Sequence, residues 1–234
     1  MTVAKKKTTN PKKKAFNPKW TCAEAEFIAG VAEPDQMPPP ALAEIAFGGR
    51  SNVGKSSLLN ALVGRKGLVR TGATPGTTRQ LNLFRVKAAD GLEIVLVDLP
   101  GYGFAKRAKH EKARWGTLIE HYIASRVTLR AVVLLIDARR GAEDEERDLI
   151  AYVKSLSHSA ERPLPAVIVV ATKLDKLPSA HRRPAVLRIA RDLGCRAYGF
   201  SSPTGDGKME LWTALRSTIV RGKKADLEAE PDDA

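Results

Sequence analysis

Between residues 42 and 222 short apolar runs alternate with amphipathic stretches. AEIAF (43–47) is an unbroken run of strand type, whereas SSLLNALVG (56–64) spaces its apolar residues as a helix does. LNLFRVK (81–87) and LEIVLVD (92–98) predict two strands joined by AADG, a turn carrying an Asp-Gly pair. AVVLLID (131–137) and AVIVVATK (166–173) are near-continuous apolar runs, the pattern of strands buried on both faces of a parallel sheet. AEDEERDLIAYVKSLSH, between them, predicts an amphipathic helix whose acidic first turns suit the helix dipole. PSAHRRPAVLRIARDLG (178–194) reads as a helix despite Pro184, RAYGFSS (196–202) as a last strand and KMELWTALRSTIVRG (208–222) as a closing helix. Upstream, AEFIAGVA (25–32) predicts an edge strand, and EPDQMPPPAL a connector broken by prolines that lack the backbone donor. No repeat is visible. The alternation predicts an α/β fold with a mostly parallel sheet and helices on both faces.

The 234 residues suit one such domain, large enough to bury a core without disulfides or a structural metal. Three segments are expected: a disordered basic tail over 1–24, the globular domain over 25–222, and an acidic tail over 223–234. The first holds seven lysines and no acid before Trp20, and Asp226, Glu228, Glu230, Asp232 and Asp233 crowd the last. The net charge of +13 is therefore not a tail effect, because the two tails largely offset each other. A basic body favours polyanionic partners, with RNA foremost. Cys22 and Cys195 stand apart, in no ligand-spaced motif, which suits reduced thiols in a cytoplasmic protein. No apolar run approaches the length of a membrane span, and no hydrophobic segment follows the lysine-rich start.

Candidate chemistry begins at GGRSNVGKSS, Gly48 to Ser57, which contains G-x-x-x-x-G-K-S from Gly49. A strand pattern precedes it and a helix pattern follows, the context a phosphate-binding loop requires. Glycines let the backbone wrap a phosphate chain with its N–H groups inward, at the positive end of a helix. Lys55 can neutralise the β and γ phosphates, and the Ser56 hydroxyl can ligate Mg²⁺. A nucleoside phosphate is the ligand implied.

Four further segments fall where the strand ends of such a sheet meet that loop. In DLPG (98–101) the Asp98 carboxylate can hold Mg²⁺ through a water, and Gly101 can bring its N–H close to a γ phosphate because it has no Cβ. In TPGTTRQ (74–80) Thr78 is the candidate second metal ligand, able to close on the metal when the γ phosphate is present; Thr77 competes for the role. In TKLD (172–175) the Asp175 carboxylate can accept hydrogen bonds from guanine N1–H and the 2-amino group, with the Lys173 stem over the base. In SSPTG the Ser202 N–H can donate to guanine O6. Each is weak alone; their order is that of a three-layer Ras-like P-loop G domain.

The wording goes further. EIAFGGRSNVGKSSLLNAL, TPGTTRQLNLF, DLPGYGFAK and TKLDKL closely resemble the EngB family of bacterial GTPases, over about residues 25–222. The resemblance implies GTP and GDP binding with Mg²⁺, slow hydrolysis, assembly of the large ribosomal subunit from its rRNA and protein precursor, and a requirement in cell division and septation. It implies nucleotide contacts along Gly49, Arg50, Ser51, Asn52, Val53, Gly54, Lys55, Ser56 and Ser57. It adds Gly76, Thr77, Thr78, Arg79 and Gln80, then Asp98, Leu99, Pro100 and Gly101. The base side is Thr172, Lys173, Leu174 and Asp175, with Phe200, Ser201 and Ser202. Metal ligands are Ser56, Thr78 and Asp98; Lys55, Gly101 and Asn52 are the catalytic candidates.

Some positions depart from the wider pattern. Thr172 replaces an asparagine whose amide ties loops together, and Pro203 replaces a lysine, leaving Ser202 as the base contact. Tyr102 stands where Ras-like enzymes carry the glutamine that orients water, so intrinsic turnover is expected below about 10⁻² s⁻¹. Asn52 resembles an asparagine that holds potassium in related cation-activated GTPases; bracing the loop is the alternative. Lys106, Arg107, Lys109, Lys112 and Arg114 place a basic cluster where nucleotide state could gate RNA contact. The competing readings are an ATP-using P-loop kinase and a GTP-gated binding module at the division site. A monomer is expected.

Overall fold

A computed structural model gives the fold for residues 21–69, 80–102, 109–156 and 164–229, with side chains for all but 109–115 and 222–229. Seven strands form one sheet: β1 (Cys22–Val31), β2 (Glu44–Gly49), β3 (Leu81–Ala88), β4 (Glu93–Asp98), β5 (Leu129–Asp137), β6 (Ala166–Thr172) and β7 (Ala197–Gly199). Their order is β1-β3-β4-β2-β5-β6-β7. β1 and β4 flank β3 antiparallel; every other pairing is parallel. Five helices accompany it: α1 (Lys55–Val63), α2 (Lys109–Ser125), α3 (Asp144–Ser155), α4 (Ser179–Asp192) and α5 (Lys208–Ala229).

Strand alternation sorts the core into two layers. Ile45, Phe47, Ala131, Val133, Leu135 and Val170 pack with α1 and α5, including Leu58, Leu62, Leu211 and the fully buried Trp212. Ala46, Val97 and Val132 meet Tyr122 and Ile123 of α2 on the other face. Leu134, Ile136 and Ala171 meet Ile150 of α3 and Ile189 of α4 there. β5 is thus covered twice, which is why its sequence is apolar without alternation. β2 lies between β4 and β5, so the chain departs to opposite sides from its end. In parallel α/β sheets that crevice is where ligands bind.

Several points differ from the sequence expectation; the last strand covers only Ala197–Gly199 of the expected 196–202. β1 begins at Cys22, inside the segment expected as tail, because Cys22 and Glu24 pair with Ala88 and Lys87 of β3. A single turn of 3₁₀ helix, Pro34–Gln36, interrupts the proline connector. α5 runs past residue 222 to Ala229, into the expected acidic tail; Lys223, Lys224, Ala225, Leu227 and Glu228 are good helix formers and let it continue. The edge position of β1 and the helical path through Pro184 are as expected. Among the described residues no helix is long and apolar enough to cross a membrane.

At the foot of β2, opposite the ligand edge, Glu44 is 1% exposed. Its carboxylate accepts from Tyr122 Oη at 2.8 Å, Arg126 Nε at 2.6 Å and Thr128 Oγ1 at 2.8 Å. A buried carboxylate is tolerated only when its acceptor sites are filled this way. Replacing Arg126 with methionine strands that charge, so the Arg126→Met variant is expected to lose about 3–5 kcal/mol in urea unfolding, against little loss for a double variant that also carries Glu44→Gln.

Candidate functional site

The end of β2 turns sharply enough that a Cβ on Gly49 would lie 2.9 Å from Val53 Cγ1 and 3.0 Å from the Leu135 carbonyl oxygen. The chain then passes two left-handed residues, Asn52 (φ 64°) and Gly54 (φ 104°), before α1 starts at Lys55. Asparagine tolerates that region and glycine has no Cβ to forbid it. The first N–H groups of α1 have no intrahelical acceptor and open toward the concave side of the loop.

The loop is held from outside. Thr172, 3% exposed at the end of β6, donates its hydroxyl to the Val53 carbonyl at 2.7 Å, with the Ile136 carbonyl at 3.1 Å. Lys173 adopts φ 59° and reaches back, its Nζ 2.5 Å from the Asn52 carbonyl and 3.0 Å from Asp137 Oδ2. Burial would raise the Asp137 carboxyl, but hydrogen bonds from Arg139 and Lys173 hold it well below the carboxylate range. From β4, Tyr102 N–H donates to the Gly49 carbonyl at 3.3 Å and the Ser51 N–H to the Tyr102 carbonyl at 3.0 Å. The DLPG segment therefore lies alongside the phosphate loop. A Cβ on Gly101 would come within 3.2 Å of Ser51 Oγ.

Inside this frame Lys55 Nζ forms an ion pair with Asp98, itself 2% exposed. Burial raises the Asp98 carboxyl against the opposing pull of Lys55 and Asn82. One hydroxyl, Ser56, and one buried carboxylate are a hard-oxygen donor set, suited to Mg²⁺ that takes its other ligands from phosphate and water. Across the site Ser201, 1% exposed, donates to Asp175 Oδ1 at 3.1 Å and fixes the carboxylate of TKLD.

Residues 44–173, which span the phosphate loop, DLPG and the first two residues of TKLD, match the family described as "50S ribosome-binding GTPase". The chain is 40% identical to the "Probable GTP-binding protein EngB" of Geobacter metallireducens over 205 residues, 86% of this chain and 95% of that one. It is 44% identical to the protein of the same name from Desulfatibacillum aliphaticivorans, over 82% of this chain and 89% of that one. The chain belongs to the EngB family. The crystal structure of a probable GTP-binding protein engB superposes with a TM-score of 0.58 at 25% identity, covering 76% of this chain and all of that one. Era in complex with MgGDPNP and nucleotides 1506–1542 of 16S ribosomal RNA shares the fold, at a TM-score of 0.61 and 24% identity over 77% of this chain and 58% of that one.

As an EngB-family member the chain is a P-loop GTP-binding protein of a GTPase family, and the ATP-kinase reading falls away. The expected loss of a loop tie at Thr172 does not occur, because the hydroxyl reaches Val53 directly. The Val53, Leu99 and Phe200 side chains lie in the core, leaving only their backbone for a nucleotide. Gln80 turns toward β1, its amide over Gly30 and 3.1 Å from Asn82 Oδ1. Gly76, Thr77, Thr78 and Arg79 lie outside the described residues, as do Lys106 and Arg107 and the side chains of Lys109, Lys112 and Arg114.

Two features of this EngB-family site are not foreseen from sequence. Gly207, at a left-handed φ of 82°, closes the last loop so tightly that a Cβ would fall 1.9 Å from the Gly199 carbonyl oxygen; the two glycines of SSPTGDG are the only advance signal. On the α3 side, Arg50 pairs with Glu143 and, at 3.2 Å, with Glu145. There the Tyr102 ring packs against the apolar cluster of α3 and α4. Its hydroxyl is buried facing Glu146 without closing a well-aligned hydrogen bond; burial first, then Glu146, pushes it well above its ordinary pKa.

Glu146 is 1% exposed, and burial raises its carboxyl despite the Glu143 N–H, Tyr102 and Arg50. The folded state thus holds this proton more tightly than the unfolded chain. The stabilisation is complete below the ordinary carboxylate pKa and is lost as pH rises through the raised one. Glu146→Gln keeps an acceptor for the Glu143 N–H but cannot ionise. Its unfolding free energy minus that of the wild type should grow in urea titrations as pH rises above the ordinary carboxylate range; a flat difference would contradict the assignment.

Proposed function

We propose that the chain is a GTP-switched factor in assembly of the large ribosomal subunit, needed through that role for normal division and septation. The observation that carries this is the match of residues 44–173 to a family described as binding the 50S ribosome. The basic character of the chain, +13 overall, supports a nucleic-acid-rich partner.

In this reading Lys55 exchanges Asp98 for the β and γ phosphates, and the α1 N-terminus receives phosphate oxygens. Asp98 and Ser56, with Thr78, hold Mg²⁺, which supplies charge neutralisation at the phosphates. Asp175, aligned by Ser201, selects guanine, and the Ser202 N–H completes the base contact. Gly49 to Ser57, Gly76 to Gln80, Asp98 to Gly101, Thr172 to Asp175 and Phe200 to Ser202 make up the nucleotide site. Gly101, against Ser51, offers its N–H to the γ phosphate. Hydrolysis is slow because the side chain after DLPG is spent on α3, and no amide stands in its place to orient water. The Asn52 side chain is exposed on the phosphate loop and is the ligand through which potassium would supply further charge. The protein acts as a monomer in the cytoplasm.

The test is co-sedimentation with purified large subunits, GDP against a non-hydrolysable GTP analogue, across a salt series. Binding with the analogue alone, weakening steeply with salt, is expected. Binding in neither state would overturn the reading in favour of a GTP-gated module acting on other proteins at the division site. Turnover measured alongside should exceed its sodium value in potassium, and equal rates would remove the ion from the mechanism.

A further inference from the structure

α4 buries Ala185 and Ile189 against the sheet and turns its other side outward at the β7 edge. Arg183, Leu187 and Arg191 lie on that side at four-residue spacing, one above the other along about 12 Å of helix. Leu187 is 58% exposed. Residues 176–196 hold Lys176, Arg182, Arg183, Arg188, Arg191 and Arg196 against a single acid, Asp192. Among the described residues the carboxylates within ion-pair distance of these six are Asp175, 3.8 Å from Lys176, and Asp192, 4.0 Å from Arg191. Exposed pairs this long neutralise little.

Where these side chains are anchored, neutral groups anchor them. Arg182 Nε donates to the Leu177 carbonyl at 3.1 Å, Arg188 Nη2 approaches the Ala138 carbonyl at 3.5 Å, and the Arg196 guanidinium lies 4.8 Å from the Tyr198 ring centroid. Such contacts orient a cation without cancelling its charge. The neighbouring α3 behaves differently, since it holds four acids against Arg147 and Lys154, and Arg140 just before it pairs with Glu143 at 3.1 Å. The unbalanced field belongs to α4.

We propose that the outer face of α4, together with Arg196 on its stacked Tyr198, is an RNA-binding surface that grips the sugar–phosphate backbone. The proposal deepens the reading of the partner given above and rests on it. Five of the six cations are arginines, whose planar forks bind phosphate oxygens in pairs. Arg196 over Tyr198 presents a flat platform on which an unpaired base can stack. An acidic membrane fits less well, because a surface-bound helix needs a free apolar face and that of α4 is spent in the core. The base-recognition carboxylate Asp175 lies in the 3₁₀ turn (Leu174–Lys176) that precedes α4, so the surface adjoins it, and it is distinct in sequence from the basic stretch at 106–114.

The test uses the full chain and the double variant Arg183→Glu/Arg191→Glu, with unchanged GDP affinity as the check on folding. Binding to a labelled RNA hairpin, read by fluorescence anisotropy, should weaken at least tenfold, and its log–log salt slope should become shallower by about two. Arg183→Lys/Arg191→Lys, which keeps the charges, should retain most of the affinity. Equal hairpin binding by wild type and the glutamate variant would overturn the proposal. So would loss of binding to phosphatidylglycerol vesicles with hairpin binding intact, which would give the face to a membrane. With whole large subunits, failure of the wild type to sediment defeats the partner reading. Sedimentation of wild type and variant alike defeats the α4 surface alone.

Discussion

A loop that turns its N–H groups inward to meet phosphate cannot use them to hold its own shape. Its carbonyls, which then face outward, are what remain. In this protein they are the handles: Thr172 takes Val53, Lys173 takes Asn52, and the Tyr102 N–H takes Gly49. The first two come from the end of β6 and the third from the end of β4, on opposite sides of β2. The left-handed pair Asn52 and Gly54 is thereby kept in place by two strands that also lead into TKLD and DLPG. A nucleotide that touches any one of these segments therefore touches the loop as well.

The same architecture explains the odd fit of Tyr102. Its backbone extends the phosphate loop, while its ring is committed to the α3 and α4 cluster and its hydroxyl to the neighbourhood of Glu146. A residue serving as a clamp is not available to guide water. Firm coupling of the DLPG segment to the loop follows from that placement, and the slow hydrolysis proposed above rests on it.

Much of this was legible in the sequence. Strand and helix order follow from apolar periodicity, and each nucleotide motif is local, its residues within about a turn of one another. The cross-links between motifs were not legible. Thr172 and Val53 are 119 residues apart and Arg50 and Glu143 are 93 apart, so no local pattern relates them. In sequence Thr172 reads as a lost amide beside asparagine; only the 2.7 Å bond to the Val53 carbonyl shows that a hydroxyl suffices. Glu44 reads in sequence as a polar residue entering a strand, and its burial depends on three partners far along the chain. The extent of α5 and the start of β1 differ for the opposite reason: composition marks tails over 1–24 and 223–234, while helix propensity and pairing with β3 extend the ordered elements into both.

The measurement that bears most directly on this account is the GDP affinity of Thr172→Val, followed with a fluorescent nucleotide. Valine keeps the shape and removes the donor to Val53, so the loop loses one outside tie while the core is unchanged. A buried hydrogen bond of about 1 kcal/mol corresponds to roughly five- to tenfold weaker binding, with the fold intact by circular dichroism. GDP affinity equal to that of the wild type would show that the loop holds its shape without Thr172, and the account would be wrong at its centre.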